Sequence, residues 1–400
     1  MNVTIADKLP DEAVNQLEEM GLKVKNNPGL KESDLGAGLS EAQILIVRST
    51  VVNRECIENS PRLSLIIRAG AGVNNIDIEA ASGKGIYVAN CPGKNAIAVA
   101  ELTMGLILSL DRFIPQNVAD FNDGKWNKAA YSKADGLFGK TIGIIGTGMI
   151  GQEVIKRAKG FGLNVVAWSR SLTPEVADEM EIEYADSILE AAKVSDILSV
   201  HLAMNAETKG IISKDVLSAL KDGAMFINTS RDGVVDEDAL YEEVKSGRLK
   251  AGLDVFSDEP EFKEGEFESR FQGLDNVCIT HHIGASTYQA QMAVADDAVD
   301  IVRGYLQEGK VRNWLNRCEH TESPWQLVVR HYDKPGVIAN VMNELKEAKI
   351  NAQELENVIF DRKLAACCTI QLDAEPTEKV LQNIRTRQDE VISAMLVPRG

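Results

Sequence analysis

Short apolar runs and stretches of helical period alternate along most of this chain. Ile44-Leu-Ile-Val47, Leu65-Ile-Ile67 and Ile86-Tyr-Val88 are nearly continuous in hydrophobicity, the pattern of strands covered on both faces. A long amphipathic helix is expected from about Ala96 to Leu110. It leads into a polar stretch, Pro115 to Gly139, that contains Asp123-Gly-Lys-Trp126. Thr141-Ile-Gly-Ile-Ile145 then reads as a buried strand entering a glycine-rich loop, and Gln152 to Phe161 as the helix leaving it. Further strands are expected at Asn164–Trp168, Ala224–Ser230, Ala251–Phe256 and Val277–Thr280. An Ala- and Asp-rich helix over 287–309 is placed to pack back on the first unit. This succession predicts α/β architecture with parallel sheets.

The character changes after a short link, Asn316 to Pro324. The tail reads β-α-β-β-α-β, with strands near 326–331, 351–359, 364–372 and 390–397 and helices near 336–348 and 376–386. Asp333-Lys-Pro-Gly336 supplies the first strand-to-helix turn. The expected organisation is therefore two parallel-sheet domains with a cleft between them and a small α+β ferredoxin-like domain at the C-terminal end. The first domain combines 1–98 with 285–316, the second covers 99–284, and the third covers 324–400.

Composition narrows the function. A chain of 400 residues with 44% hydrophobic and 26% charged residues is globular. A net charge of −17 argues against nucleic acid or an anionic membrane surface as partner, and requires a local cation cluster for any anionic substrate. No apolar run approaches a membrane span and the first residues lack the form of a signal peptide, so a cytoplasmic protein is expected. The six cysteines are scattered, with no metal-binding spacing, and are expected to be buried and reduced.

Gly146-Thr-Gly148-Met-Ile-Gly151 between a strand and a helix is a dinucleotide fingerprint. Its second strand ends in Ser169-Arg170 instead of the acid that would bind adenine ribose hydroxyls. NAD and NADP both remain open on this ground. Three later strands deliver Arg231, Glu259 and His281-His282 to their carboxyl ends, where open α/β sheets bind ligands. His282 could exchange a hydroxyl proton, Glu259 could hold its other ring nitrogen, and Arg231 could clamp a 2-keto-acid carboxylate. Plainer alternatives are a solvated acid at Glu259 and an ion pair of Arg231 with Asp232 or Asp236. Arg48 and Arg68 also end strands, and Arg68 precedes the turn Gly70-Ala71-Gly72. They read as an anion pocket, with pairing to Asp77, Glu79 or Glu101 as the alternative.

These motifs, with Asn228-Thr-Ser-Arg-Asp-Gly-Val-Val-Asp236, Asp254-Val-Phe-Ser-Asp-Glu-Pro260 and His282-Ile-Gly-Ala-Ser286, resemble the D-2-hydroxyacid dehydrogenase signatures over about residues 40–315. The tail resembles an ACT domain, a small regulatory fold that binds amino acids. The resemblance implies two Rossmann-like domains and reversible hydride transfer between NAD and a phosphorylated 2-hydroxyacid, 3-phosphoglycerate. It implies Arg231, Glu259 and His282 as the catalytic group. Cofactor contacts are implied at Gly146, Gly148, Met149, Ile150, Gly151, Ser169, Arg170, Thr229, Ser230, Arg231, Asp254, His282, Gly284 and Ala285. Substrate contacts are implied at Arg48, Ser49, Arg68, Gly70, Ala71 and Gly72, and an amino-acid effector at Asp333 and Asn351. The Asp123–Trp126 segment is similar to an arm through which members dimerise, with Lys128 directed to the partner, so a homodimer or homotetramer is expected. The chain departs from the family pattern at His281, where proline is usual, and at Asn74 and Ser169, where aspartate is usual. Asp333 replaces an amide of serine-inhibited members.

Overall fold

The computed structural model describes residues 1–30, 35, 38–260, 265–318 and 321–399, so part of the link before Pro324 lies outside the described residues. The first apolar runs form a five-stranded sheet from β1 (Asn2–Ile5), β2 (Lys23–Asn26), β3 (Ile44–Val47), β4 (Leu65–Arg68) and β5 (Tyr87–Asn90). All its pairings are parallel, in the order β2-β1-β3-β4-β5. Every residue of β3 is buried because apolar cores lie on both faces of the sheet. One core takes Ala295, Ala298, Val299, Ile301 and Val302 from the helix Tyr288–Glu308, which returns from the far end of the second sheet.

The second sheet contains β6 (Thr141–Ile145), β7 (Asn164–Trp168), β8 (Glu183–Tyr184), β9 (Ile197–Val200), β10 (Met225–Asn228), β11 (Lys250–Leu253) and β12 (Val277–Ile279). It is wholly parallel, in the order β12-β11-β10-β9-β6-β7-β8. The strand order reverses between β6 and β9, which places a crevice at their carboxyl ends. Two apolar cores cover its faces, and the long helix Ala96–Arg112 contributes Ala100, Met104, Leu106, Ile107 and Leu110 to one of them. Both sheets belong to one compact unit, Met1–Asn316.

Arg317–Gly400 forms a second unit. Its strands are β13 (Trp325–Tyr332), β14 (Ala352–Ile359), β15 (Ala365–Leu372) and β16 (Val391–Pro398). They pair antiparallel in the order β14-β15-β13-β16, with helices Val337–Glu347 and Glu378–Arg385. This is the α+β ferredoxin-like arrangement. No described helix is long and apolar enough to cross a membrane. Cys56, Cys91 and Cys368 are buried, but Cys278 and Cys367 are half-buried and Cys318 is exposed, against the expectation that all six are buried.

Candidate active site

The dinucleotide loop is built by close approach of backbone to backbone. Gly146 has φ +101°, and a β-carbon there would stand 2.6 Å from the carbonyl oxygen of His201. A β-carbon on Gly151 would stand 2.0 Å from the carbonyl oxygen of Gly146. Neither position tolerates a side chain, whereas Gly148 faces open space. The helix Met149–Gly160 starts directly after Gly148, three residues earlier than expected, with no side-chain cap on its first turn. An open cradle facing uncapped N–H groups fits a pyrophosphate.

The far end of this crevice is a cavity of about 210 Å³ lined by Gly146, Gly148, Ser169, Arg170, His201 and Glu207, among others. The Ser169 and Thr147 hydroxyls share a hydrogen bond of 2.7 Å. The Arg170 guanidinium donates to Glu207. The acid missing after β7 is thus matched by one after β9, and Arg170 is not free as it stands. His201 Nε2 lies 2.9 Å from Ser199 Oγ, and burial pushes its pKa down to about 3. A cavity of about 420 Å³ continues the crevice and takes in Gly148, Met149, Ile150, Thr229, Ser230, Arg231, Asp254, His282, Gly284 and Ala285.

His282 lines this cavity with its side chain 52% exposed, and Glu259 stands behind it. His282 Nδ1 lies 2.7 Å from Glu259 Oε2, and the amide of Phe256 donates to Glu259 Oε1 at 3.2 Å. The Glu259 hydrogen bond raises the imidazole pKa above its ordinary value; burial opposes this, and the Glu259 and Asp254 charges reinforce it. His282 has φ +52°, uncommon for a residue with a side chain and typical of functional sites. The buried Asp254 holds that conformation. Its Oδ1 accepts from Thr280 Oγ1 at 2.6 Å and Ile283 N at 2.9 Å, and its Oδ2 from Gly284 N at 2.8 Å. His281 is exposed and lines neither cavity around His282. Thr229 is fixed from behind by Thr103, hydroxyl to hydroxyl at 3.0 Å.

Arg231 Nη1 donates to the Ser230 carbonyl at 2.6 Å. Its Nη2 would lie 3.1 Å from a β-carbon on Gly72, so the guanidinium reaches from the second sheet to the turn of the first. Arg68 Nε donates to the Arg48 carbonyl at 3.1 Å. Burial lowers the Arg68 pKa, and repulsion from Arg231 and Arg48 lowers it further. Among the described residues, none of these three arginines has a carboxylate partner. Four of the alternative acids are engaged elsewhere: Asp77 and Glu79 pair with Arg54, Glu101 pairs with Arg157, and Asp236 caps the helix Glu237–Lys245; Asp232 makes no ion pair with Arg231. Arg48, Arg68, Gly70, Ala71 and His282 line an adjoining cavity of about 170 Å³. Ser49 does not join them. Its hydroxyl donates to Asp7 Oδ1 at 2.9 Å, and Asp7 Oδ2 also accepts the amides of Arg48, Ser49 and Thr50 at 2.6, 3.0 and 2.9 Å. Asp7, Lys8, Thr103, His201 and Glu207 escaped the sequence reading. All but Thr103 follow the ends of β1 and β9, two strands the reading did not mark.

The expected effector residues are not brought together within one chain. Asp333 donates its amide to Leu364, just before β15, whereas the amide of Asn351 donates to Asp373, just after it. They stand at opposite ends of an eight-residue strand.

Residues 104–284 match the model of the D-isomer specific 2-hydroxyacid dehydrogenase NAD binding domain. A hydroxypyruvate reductase of Thermotoga maritima is 41% identical over 74% of this chain and 96% of its own length. The chain belongs to the D-2-hydroxyacid dehydrogenase family. A D-3-phosphoglycerate dehydrogenase of Methanocaldococcus jannaschii is 38% identical over 91% of the chain, which spans 68% of that relative. An NAD⁺-bound 3-phosphoglycerate dehydrogenase structure from Entamoeba histolytica aligns with a TM-score of 0.65 and 27% identity, over 79% of this dehydrogenase and 99% of that chain. The second sheet and the helices around it are therefore the family's NAD-binding domain, and the glycine cradle described above fits that cofactor.

Proposed function

We propose that this dehydrogenase interconverts 3-phospho-D-glycerate and 3-phosphohydroxypyruvate with NAD, the entry to L-serine biosynthesis, as a D-3-phosphoglycerate dehydrogenase. The observation that carries this reading is the cluster of Arg48, Arg68 and Arg231, without carboxylate partners among the described residues, in a chain of net charge −17. Arg231 clamps the substrate carboxylate, and Arg48 and Arg68 hold the phosphate. Gly70, Ala71 and Gly72 form the turn between them. His282 takes the hydroxyl proton at Nε2, because Nδ1 is held by Glu259. NAD, when bound, accepts the hydride, or returns it as NADH.

Met149 and Ile150 face the pyrophosphate with backbone N–H groups. Ser169 and Arg170 stand on the adenosine side. Thr229, Ser230, Asp254, Gly284 and Ala285 stand on the nicotinamide side. In this reading residues 1–98 with 285–316 are the substrate domain, 99–284 the cofactor domain, and 324–400 an ACT regulatory domain. Closure of the first two over the substrate excludes water. The exposed Phe121, Trp126 and Phe138 near the proposed arm are the surface a partner subunit would cover.

The identity to a hydroxypyruvate reductase supports a second reading, a reductase of unphosphorylated acids. Oxidation of NADH and NADPH with 3-phosphohydroxypyruvate, hydroxypyruvate and glyoxylate separates the two. The expected result is a kcat/KM for the phosphorylated acid at least about tenfold above the others, the size of one charge-assisted hydrogen bond. A preference for either unphosphorylated acid would replace the first reading with the second.

A further inference from the structure

The first sheet has a topological switch point of its own, at the end of the strand that delivers Arg48. In the order β2-β1-β3-β4-β5, the chain leaves β1 toward one side for β2 and resumes on the other side with β3. The crevice at the carboxyl ends of β1 and β3 is where such sheets bind ligands. Arg48 follows β3 directly and Lys8 lies three residues beyond β1.

We infer that Lys8 is the third cation of the anion pocket and the residue that fits it to a doubly charged group. This rests on the phosphosubstrate reading above and deepens it. Lys8 lines the same cavity of about 170 Å³ as Arg48 and Arg68. Its neighbours Asp7 and Leu9 are 9% and 7% exposed, so the backbone is pinned while the ammonium reaches out. Among the described residues Lys8 has no ion pair. Asp7 could compensate it only weakly, because three backbone amides and the Ser49 hydroxyl already engage that carboxylate. Lys8, Arg48 and Arg68 against Asp7 leave a net charge of +2, matching a phosphate monoester at neutral pH. Ser286 and Gln291 also line this cavity. Gln291 lies in the first turn of the 21-residue helix Tyr288–Glu308 and Ser286 just before its N-cap, and the helix's positive end adds to the same field. A substrate carboxylate needs none of this, since Arg231 alone can bind it through two N–H groups. Lys8 therefore discriminates at the end of the substrate remote from the reacting carbon.

The test is steady-state reduction of 3-phosphohydroxypyruvate and hydroxypyruvate by wild type, Lys8→Met and Lys8→Arg, with inorganic phosphate as a competitive inhibitor. Lys8→Met is expected to raise KM for the phosphorylated acid and the inhibition constant of phosphate by about 10–100-fold, the range for a hydrogen bond to a charged group. The KM for hydroxypyruvate is expected to change far less, and Lys8→Arg to restore most of the loss. A phosphate-preferring wild type whose KM and phosphate inhibition are untouched by Lys8→Met overturns the inference alone. Equal losses on both acids also overturn it, because Lys8 would then act on the fold or the common part of the substrate. A wild type without preference for the phosphorylated acid overturns the reading on which the inference rests.

Discussion

Glu259 decides how His282 titrates. Its carboxylate is fixed by the Phe256 amide on one oxygen and meets the imidazole with the other, so the raised pKa has a defined source. Reduction of a keto acid needs the imidazolium as proton donor; oxidation needs the neutral ring as base. With the folded pKa above the ordinary value, reductive kcat/KM is high at low pH and falls as pH rises through that pKa, while oxidation rises over the same window. Glu259→Gln removes the charge and weakens the strongest hydrogen bond, so burial and Arg231 lower the pKa against the Asp254 charge alone. The reductive decline should then begin at lower pH, with turnover down about tenfold or more. A pH profile unmoved by Glu259→Gln would detach the acid from the chemistry. The sequence showed Arg231, Glu259 and His282 because each stands just past an apolar run. It could not show Asp7, which organises the Arg48 loop from 41 residues away. The glycine spacing after His282 favoured it over His281, but the Asp254 hydrogen bonds to the Ile283 and Gly284 amides that fix the chain beside it lie about 30 residues away and were not legible.

Among the elements, the helix Met149–Gly160 is the one whose start position matters for function. Gly148 caps it directly, so the first-turn N–H groups point into the crevice. The start is possible because Gly151 packs against the Gly146 carbonyl with no side chain between. Gly151→Ala puts a β-carbon against backbone that cannot swing aside. The expected cost is about 1–3 kcal/mol in stability from overpacking. NADH affinity should fall too, because relief of the clash moves the helix from the cradle. A thermal melt and an NADH fluorescence titration test this; unaltered NADH affinity would separate the helix start from cofactor binding. Elements were legible where burial made them apolar. β3 is buried throughout and reads plainly, whereas β2 (Lys-Val-Lys-Asn) is an edge strand with a polar, mostly exposed surface. The helix Ile114–Asn122 buries no residue; its apolar stripe of Ile114, Val118 and Phe121 is exposed, and the reading passed over it within the polar stretch. The strand expected to Ser230 stops at Asn228 because Asn228 Oδ1 captures the Ser230 amide and hydroxyl and turns the chain.

At the scale of the molecule, every proposed catalytic, cofactor and substrate residue lies within Met1–Asn316. The boundary residue is part of that unit: Asn316 accepts from Val88 N at 2.9 Å and donates to the Ile86 carbonyl at 2.9 Å and Ser82 Oγ at 3.1 Å. Arg317–Gly400 has its own apolar core, with Leu327, Val329, Val341, Leu345, Cys368 and Ile370 fully buried. Two units with separate cores are expected to fold separately, so a chain ending at Asn316 should keep kcat/KM within about threefold of the full chain under matched conditions. The full chain should also show more than one transition in calorimetry, one of which is lost on truncation. If the shortened protein folds, as its melting transition reports, yet loses turnover by about a hundredfold, the C-terminal unit takes part in the catalytic cycle itself. Retained turnover would confine that unit to regulation or assembly. Amino acids added to both proteins would then show whether any effector response is lost with it.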